Sequence, residues 1–207
     1  MTAPIPSACT ACRPPQDDAE PPRRRVIRIA AGFATAAIGG LHGHAALADD
    51  PAEARPQVGD LLVLATDEDA GKPLTAAGIA GNCKPLHAFP VDPATGTVRN
   101  GSRFNKIALV RVDPASIESE PALRAAGGVL AFSAVCTHQG CDVTEWNEKA
   151  GTLLCFCHFS QFDPRLEGQV AAGPAAKSLP WLPLRIDNGR LVIAGGFSAK
   201  PGPSKPG

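Results

Sequence analysis

The sequence predicts a mainly β protein, an antiparallel β-sandwich base domain into which a smaller subdomain is inserted. Three observations predict it. From Val58 onward, short apolar runs alternate with turn residues, as strands of an antiparallel domain do. Asn188-Gly189 separates two such runs near the end of the chain, a strong signal for a two-residue hairpin. Between about Ala134 and Pro180 the pattern is broken by two short loops rich in Cys and His, which belong to a ligand-bearing insertion.

Residues 1–22 are rich in Pro, Asp and Ala and are expected to be disordered, because such a segment cannot bury enough apolar surface to offset its chain entropy. Cys9 and Cys12 form a Cys-x-x-Cys there; it reads as two reduced, unstructured thiols, with a redox or metal role as the other reading. Residues 23–48 read as an export signal. Arg23-Arg24-Arg25-Val26-Ile27-Arg28 fits the twin-arginine pattern, the apolar stretch Ile29 to Leu41 follows, and Ala46-Leu47-Ala48 is a small-x-small cleavage sequence. The uninterrupted apolar run is 13 residues, short of the roughly 20 needed to span a bilayer, which favours cleavage. Residues 29–48 together are long enough to serve as a membrane anchor if His42 and His44 are tolerated, so retention is the other reading.

Residues 49–207 are the folded domain. Gly59-Asp60 leads into the strand Leu61 to Leu64; Lys106 to Val112 and Val129 to Val135 are further strands, the last running into the first Cys/His loop. Leu184 to Ile186 and Leu191 to Ile193 flank the Asn-Gly turn. Residues 70–102, rich in Gly and Pro, read as a long loop or weak edge strands, and Ser116 to Ala126 is a weak helical candidate because Pro121 falls beyond its first turn. Cys83 and His87 lie there at a spacing that could chelate a metal, though a lone thiol and a loop imidazole are the plainer reading.

Composition excludes some classes. The formal net charge is zero, and −2 for residues 49–207, with 15 basic and 17 acidic side chains. With aromatics at 5% and no tyrosine, neither a basic footprint nor a base-stacking surface for nucleic acid is present. No serine or spare cysteine has a histidine partner identifiable from sequence, so a nucleophilic hydrolase is unsupported.

The loops Cys136-Thr-His138-Gln139-Gly140-Cys141 and Cys155-Phe-Cys157-His158-Phe-Ser160 carry the chemistry. On residue type alone they could hold a metal centre, a zinc ion, or ordinary disulfides with bystander histidines. In their spacing, with Gly140 and Ser160 in register, they resemble the Rieske iron–sulfur family. That resemblance implies a 2Fe-2S cluster in which two imidazoles replace two thiolates, lowering the negative charge and raising the potential. Carried over by position, Cys136 and Cys155 would bind one iron and His138 and His158 the other. Cys141 and Cys157 match the disulfide of the family's higher-potential respiratory branch, a staple expected to contribute on the order of 2–4 kcal/mol. Ala172-Gly173-Pro174-Ala175 resembles the family's proline loop, the segment that covers the cluster from a third side. A Rieske oxygenase also needs a mononuclear iron site with two further histidines, whereas residues 49–207 offer only His87 beyond the two ligands.

Two positions depart from the respiratory pattern. The family's serine and tyrosine donors to sulfur are represented by Ser160 but by Phe162 in place of the tyrosine. The leucine that shields the cluster in cytochrome bc relatives is Gln139 here, a polar residue that argues against a quinol-docking face. The run Cys157 to Asp163 looks most like the Rieske subunit of periplasmic molybdenum enzymes of the arsenite oxidase type, whereas Gly59-Asp60 and the stretch Asp92 to Arg103 resemble bacterial cytochrome bc Rieske subunits. The resemblance therefore implies a one-electron transfer subunit of an exported, periplasmic oxidoreductase. Its redox partner would be a molybdenum subunit or a cytochrome b, its acceptor a c-type cytochrome or similar carrier, and a free soluble carrier is the third reading. Restoring the missing donor with Phe162→Tyr is expected to raise the midpoint potential measured by voltammetry; an unchanged midpoint would reject this role for position 162.

Overall fold

The structure is a computed structural model and describes residues 50–66, 71–118 and 126–203. The expectations for the tail, for Cys9 and Cys12 and for the twin-arginine segment therefore lie outside the described residues. So does most of the helical candidate. Its first residue, Ser116, ends a 3-10 turn over Pro114–Ser116 that Asp113 caps through its side chain.

The strands are β1 (Leu61–Leu64), β2 (Leu86–Val91), β3 (Ile107–Arg111), β4 (Val129–Ser133), β5 (Glu145–Asn147), β6 (Thr152–Cys155), β7 (Ser160–Asp163), β8 (Gln169–Ala172), β9 (Trp181–Leu182), β10 (Leu184–Asp187) and β11 (Arg190–Ile193). All named pairings are antiparallel. They form a seven-stranded sheet in the order β10-β11-β1-β2-β3-β4-β9 and a four-stranded sheet β5-β6-β7-β8. The smaller sheet is entirely inserted in the chain between β4 and β9, which pair directly with each other in the larger one. The mainly β class is therefore realised with one refinement: the base is a single sheet curled towards closure. Side chains from both of its ends, Leu182 on β9 and Leu184 and Leu191 on β10 and β11, meet in the same core as Leu62, Ile107, Leu109 and Val129.

The strands at Leu61, Ile107 and Val129 and the final hairpin fall where the apolar runs place them. Asn188 and Gly189 carry φ of 49° and 78°, the paired positive values a tight hairpin turn requires. Residues 70–102 behave differently from a loop or weak edge: they contain β2, which is central, between β1 and β3. Pro90 obscured it, since proline removes a ladder donor. The ladder with β3 ends at Ala88, and the Pro90 carbonyl instead accepts from the Arg99 N–H at 2.8 Å, so the missing N–H falls where no partner strand needs it.

β4 faces two cores. Val129 and Ala131 point into the core enclosed by the large sheet, whereas Leu130 and Phe132 pack outward with Val143, Leu153, Phe162, Leu179, Cys136 and Cys155. This second core seats the inserted sheet on the base. Elsewhere in the base, the buried Asp60 carboxylate accepts from Arg99 Nε at 2.7 Å and Nη2 at 3.1 Å, while Asp92 approaches the same guanidinium at 3.7 Å. Removing one partner of a buried pair commonly costs about 3–5 kcal/mol, because the other charge stays desolvated. Asp60→Asn is expected to lower stability towards the bottom of that range in urea titrations, since Asp92 still faces Arg99. A loss below about 1 kcal/mol, typical of an exposed pair, would reject a structural role.

Candidate metal centre

The first Cys/His loop continues from the end of β4 and closes on itself. Cys136 N–H donates to Cys141 O at 2.8 Å and Gly140 N–H to Cys136 O at 3.0 Å, with Gly140 at φ 82°. The second is the four-residue connection of the β6–β7 hairpin, where Cys155 and Ser160 are the last register pair. Cys141 and Cys157 form a disulfide across the two loops, with their Cα atoms 6.5 Å apart. The His138 and His158 rings meet edge to face with centroids 4.7 Å apart. His158 is exposed and His138 half-buried, so the imidazole pair lies on the surface above two buried thiols, Cys136 and Cys155.

The thiols adjoin each other, since Cys136 is a hydrogen-bond partner of Cys155. Burial pushes the Cys155 thiol up to about 11, and Cys136 adds to this, whereas the backbone N–H groups of Cys157 and His158 are directed at its sulfur and oppose the rise. Such a sulfur stays protonated unless a cation replaces the proton, and it already has two donors in place for the thiolate. The Cys155 sulfur lies within 4.8 Å of those of Cys141 and Cys157, but these two are consumed by the disulfide and offer no thiolate.

Two buried side-chain polar atoms lack a hydrogen-bond partner among the described residues, Asn105 Oδ1 in the base and, at this site, His138 Nδ1. A buried ring nitrogen in that state costs free energy unless something supplies a partner, and metal coordination would do so. Four side chains, Cys136, His138, Cys155 and His158, could thus hold a metal centre.

The proline-loop candidate packs against the second loop. A Cβ on Gly173, whose φ is 86°, would stand 2.5 Å from Ser160 Cα and 2.6 Å from Phe159 O, so only glycine fits this approach. Ala175 N–H donates to the buried Ser160 hydroxyl oxygen at 3.2 Å, which leaves the hydroxyl proton to be donated elsewhere. Pro174 is exposed beside them. Thr137 Oγ1 donates to Lys177 O at 2.7 Å and ties the other end of this segment to the first loop. Phe162 is fully buried in the core that holds Cys136 and Cys155, and Gln139 is exposed.

The base domain also grips the first loop, through residues the sequence did not single out. Arg103 donates to Gly140 O and pairs with Asp142 at 3.2 Å; Lys106 Nζ pairs with Asp142 at 2.7 Å. No motif marks these positions, because the partners are 36 to 39 residues apart. His87, weighed above as a chelator with Cys83, instead directs Nε2 to Val143 O at 2.8 Å. Among the described residues no group of three or more metal-ligand side chains includes either.

Burial holds the His87 pKa below its ordinary value of about 6.5; the Lys106 charge acts the same way, whereas the Val143 carbonyl and Asp142 oppose it. A depressed pKa means that the unfolded chain takes up protons first as pH falls. The stability this contributes is complete above about 6.5 and is lost as pH drops through the folded value. His87→Gln keeps a donor for Val143 O but does not titrate, so its urea midpoint should vary less with pH below about 6.5 than that of the parent; parallel curves would reject the assignment.

Residues 91–183 match the family model of the Rieske [2Fe-2S] domain. Among relatives, a candidate Rieske subunit of respiratory nitrate reductase from Haloferax mediterranei is 46% identical over 77 residues, covering 37% of this chain and 34% of that protein. The cytochrome bc1 complex Rieske iron-sulfur subunit of Corynebacterium diphtheriae is 43% identical over 79 residues, covering 38% of this chain and 20% of that one. The matched region thus spans 34% and 20% of these two relatives. The crystal structure of the plasma membrane Rieske protein of Synechocystis PCC 6803 aligns over 54% of this chain and 86% of that one, at 21% identity and a TM-score of 0.34. The buried thiols, the adjacent imidazoles and the orphaned ring nitrogen suit a cluster with mixed sulfur and nitrogen ligation, so the residues present fit the cofactor this family carries. The chain carries a Rieske [2Fe-2S] domain, and its cofactor is a Rieske-type 2Fe-2S cluster.

Proposed function

We propose that the chain is the electron-transfer subunit of an exported oxidoreductase, relaying single electrons from a catalytic molybdenum subunit of the arsenite oxidase type to a c-type cytochrome. Cys136 and Cys155 would hold one iron of the cluster, and His138 and His158 the other. The observation that carries this reading is the conjunction of two buried, adjoining thiols with two surface imidazoles, one of which has a buried nitrogen without a partner. When bound, the cluster supplies a one-electron couple whose potential is raised by imidazole ligation.

The chain's own residues do the rest. The Cys141–Cys157 disulfide keeps the loops in register, and the segment from Gly173 to Lys177 spans both loops. The Cys157 and His158 N–H groups stabilise negative charge on the Cys155 sulfur. Leu153, Phe162 and Val143 keep water from the thiol side, leaving the imidazole edge as the short path to a partner.

A cytochrome bc Rieske subunit is the second reading, favoured by the names of several relatives. Exposed Gln139 favours the first, because a quinol site is served by an apolar residue there. No helix among the described residues is long and apolar enough to cross a membrane, and whether residues 29–48 anchor the protein or are removed is part of the same question. Native protein purified from membrane and periplasmic fractions should co-purify with a molybdenum subunit whose substrate reduces the cluster. Reduction by quinol together with a b-type cytochrome would instead establish the bc reading. With imidazole ligation the midpoint is expected to fall as pH rises; a midpoint flat from neutral to strongly alkaline pH would overturn the ligand assignment.

A further inference from the structure

The loop between β6 and β7 carries two phenylalanines that the fold does not use. Phe156 is 64% and Phe159 58% exposed, and their rings contact each other with centroids 5.4 Å apart. They flank Cys157 and His158, so the most apolar part of this surface surrounds the exposed imidazole. Phe159 has φ 60°, a left-handed conformation that bulky side chains avoid and glycine adopts freely. An exposed aromatic in a strained conformation is a cost that no contact in the core offsets, and strain of this kind points to function.

The charge around this tip is one-sided. On residues 136–141, 156–159, 173–178 and 198–203 the charged side chains are Lys177 and Lys200. Both line a cleft of about 450 Å³ that reaches Thr137, next to His138. The segment from Gly173 to Lys177 links the two features, with Gly173 against Phe159 O and Lys177 O bonded to Thr137. The nearby carboxylates are already neutralised, Asp142 by Lys106 and Arg103, and Glu145 by Lys84. Neither Lys177 nor Lys200 has an ion pair among the described residues.

We propose that Phe156, Phe159, Lys177 and Lys200 form the docking face for a protein redox partner whose contact surface is an apolar patch rimmed by carboxylates. The inference rests on the electron-transfer reading above and adds the chemistry of the partner's surface. The aromatic pair supplies a small rigid apolar anchor, and the lysines steer and orient, which suits the small, transient contacts of electron-transfer pairs. An anionic membrane would also attract aromatics and lysines. Lipid recognition generally uses clusters of about four to eight basic residues, and two are present.

The test uses the full-length holoprotein, reduced, with two c-type cytochromes as acceptors, one with carboxylates and one with lysines around its exposed haem edge. The carboxylate-edged acceptor should be reduced faster, by about tenfold at low salt, with a rate that falls as ionic strength rises. Lys177→Glu combined with Lys200→Glu should reverse the preference. Phe156→Ser combined with Phe159→Gly should slow transfer to both acceptors while the visible spectrum and midpoint potential remain those of the parent. Faster transfer to the lysine-edged acceptor, unchanged rates in the variants, or sedimentation with anionic phospholipid vesicles that the Phe156/Phe159 and Lys177/Lys200 substitutions abolish would overturn the proposal. A purified chain lacking the 2Fe-2S optical and paramagnetic signature would instead defeat the electron-transfer reading itself, which the same sample reports before any rate is measured.

Discussion

The site depends on β4 being buried on both faces. Val129 and Ala131 close the core of the curled base sheet, while Leu130 and Phe132 give the inserted sheet its seat. Burial of a side chain such as Phe132 contributes roughly 1.5–3 kcal/mol, and here each residue on the outer face also orients the ligand loops. The chain leaves β4 directly into Cys136 and returns at β9, which pairs with β4. Both thiols are thus members of the second core rather than ornaments on a loop. A substitution that loosens Phe132 or Leu153 would act on the centre's surroundings as well as on stability.

The asymmetry of the centre follows from this arrangement. Its sulfur side is dry because it faces the second core; its imidazole side is open because the loops project beyond it. Burial raises the Cys155 pKa, and two backbone N–H groups oppose that rise at the same sulfur. Electrostatic demand for a cation is therefore strong on one side, while the other is left for a partner. Short loops with little core of their own need outside support, and they receive it from three directions: the Cys141–Cys157 disulfide, the Gly173–Lys177 segment, and the Arg103, Lys106 and His87 contacts of the base.

Legibility in the sequence varied with the range of the interaction. The strand at Leu61, the hairpin around Asn188-Gly189 and the loop spacings are local, and each was readable from a few consecutive residues. β2 was hidden because Pro90 and its Gly-rich flanks mimic a loop, and only the end of the β3 ladder at Ala88 makes a proline acceptable there. The grip of Arg103 on the Gly140 carbonyl was equally invisible, since nothing near either residue announces the other. The exposed aromatic pair could have been noticed, because Phe156 and Phe159 lie in a loop with no apolar periodicity to explain them. That both face solvent required the fold.

By itself the sequence determined the pair of loops and the mainly β architecture, because spacing and turn chemistry are properties of neighbouring residues, and the class of cofactor followed from the resemblance of those loops to the Rieske family. Tertiary structure alone decided that the thiols are buried while His158 is exposed and His138 half-buried, that Gly173 must remain glycine against Ser160, and that His87 directs a ring nitrogen to the Val143 carbonyl. Each of these is set by residues brought together from distant parts of the chain. Burial, packing distance and the direction of a ring nitrogen come into being only when the sheets close.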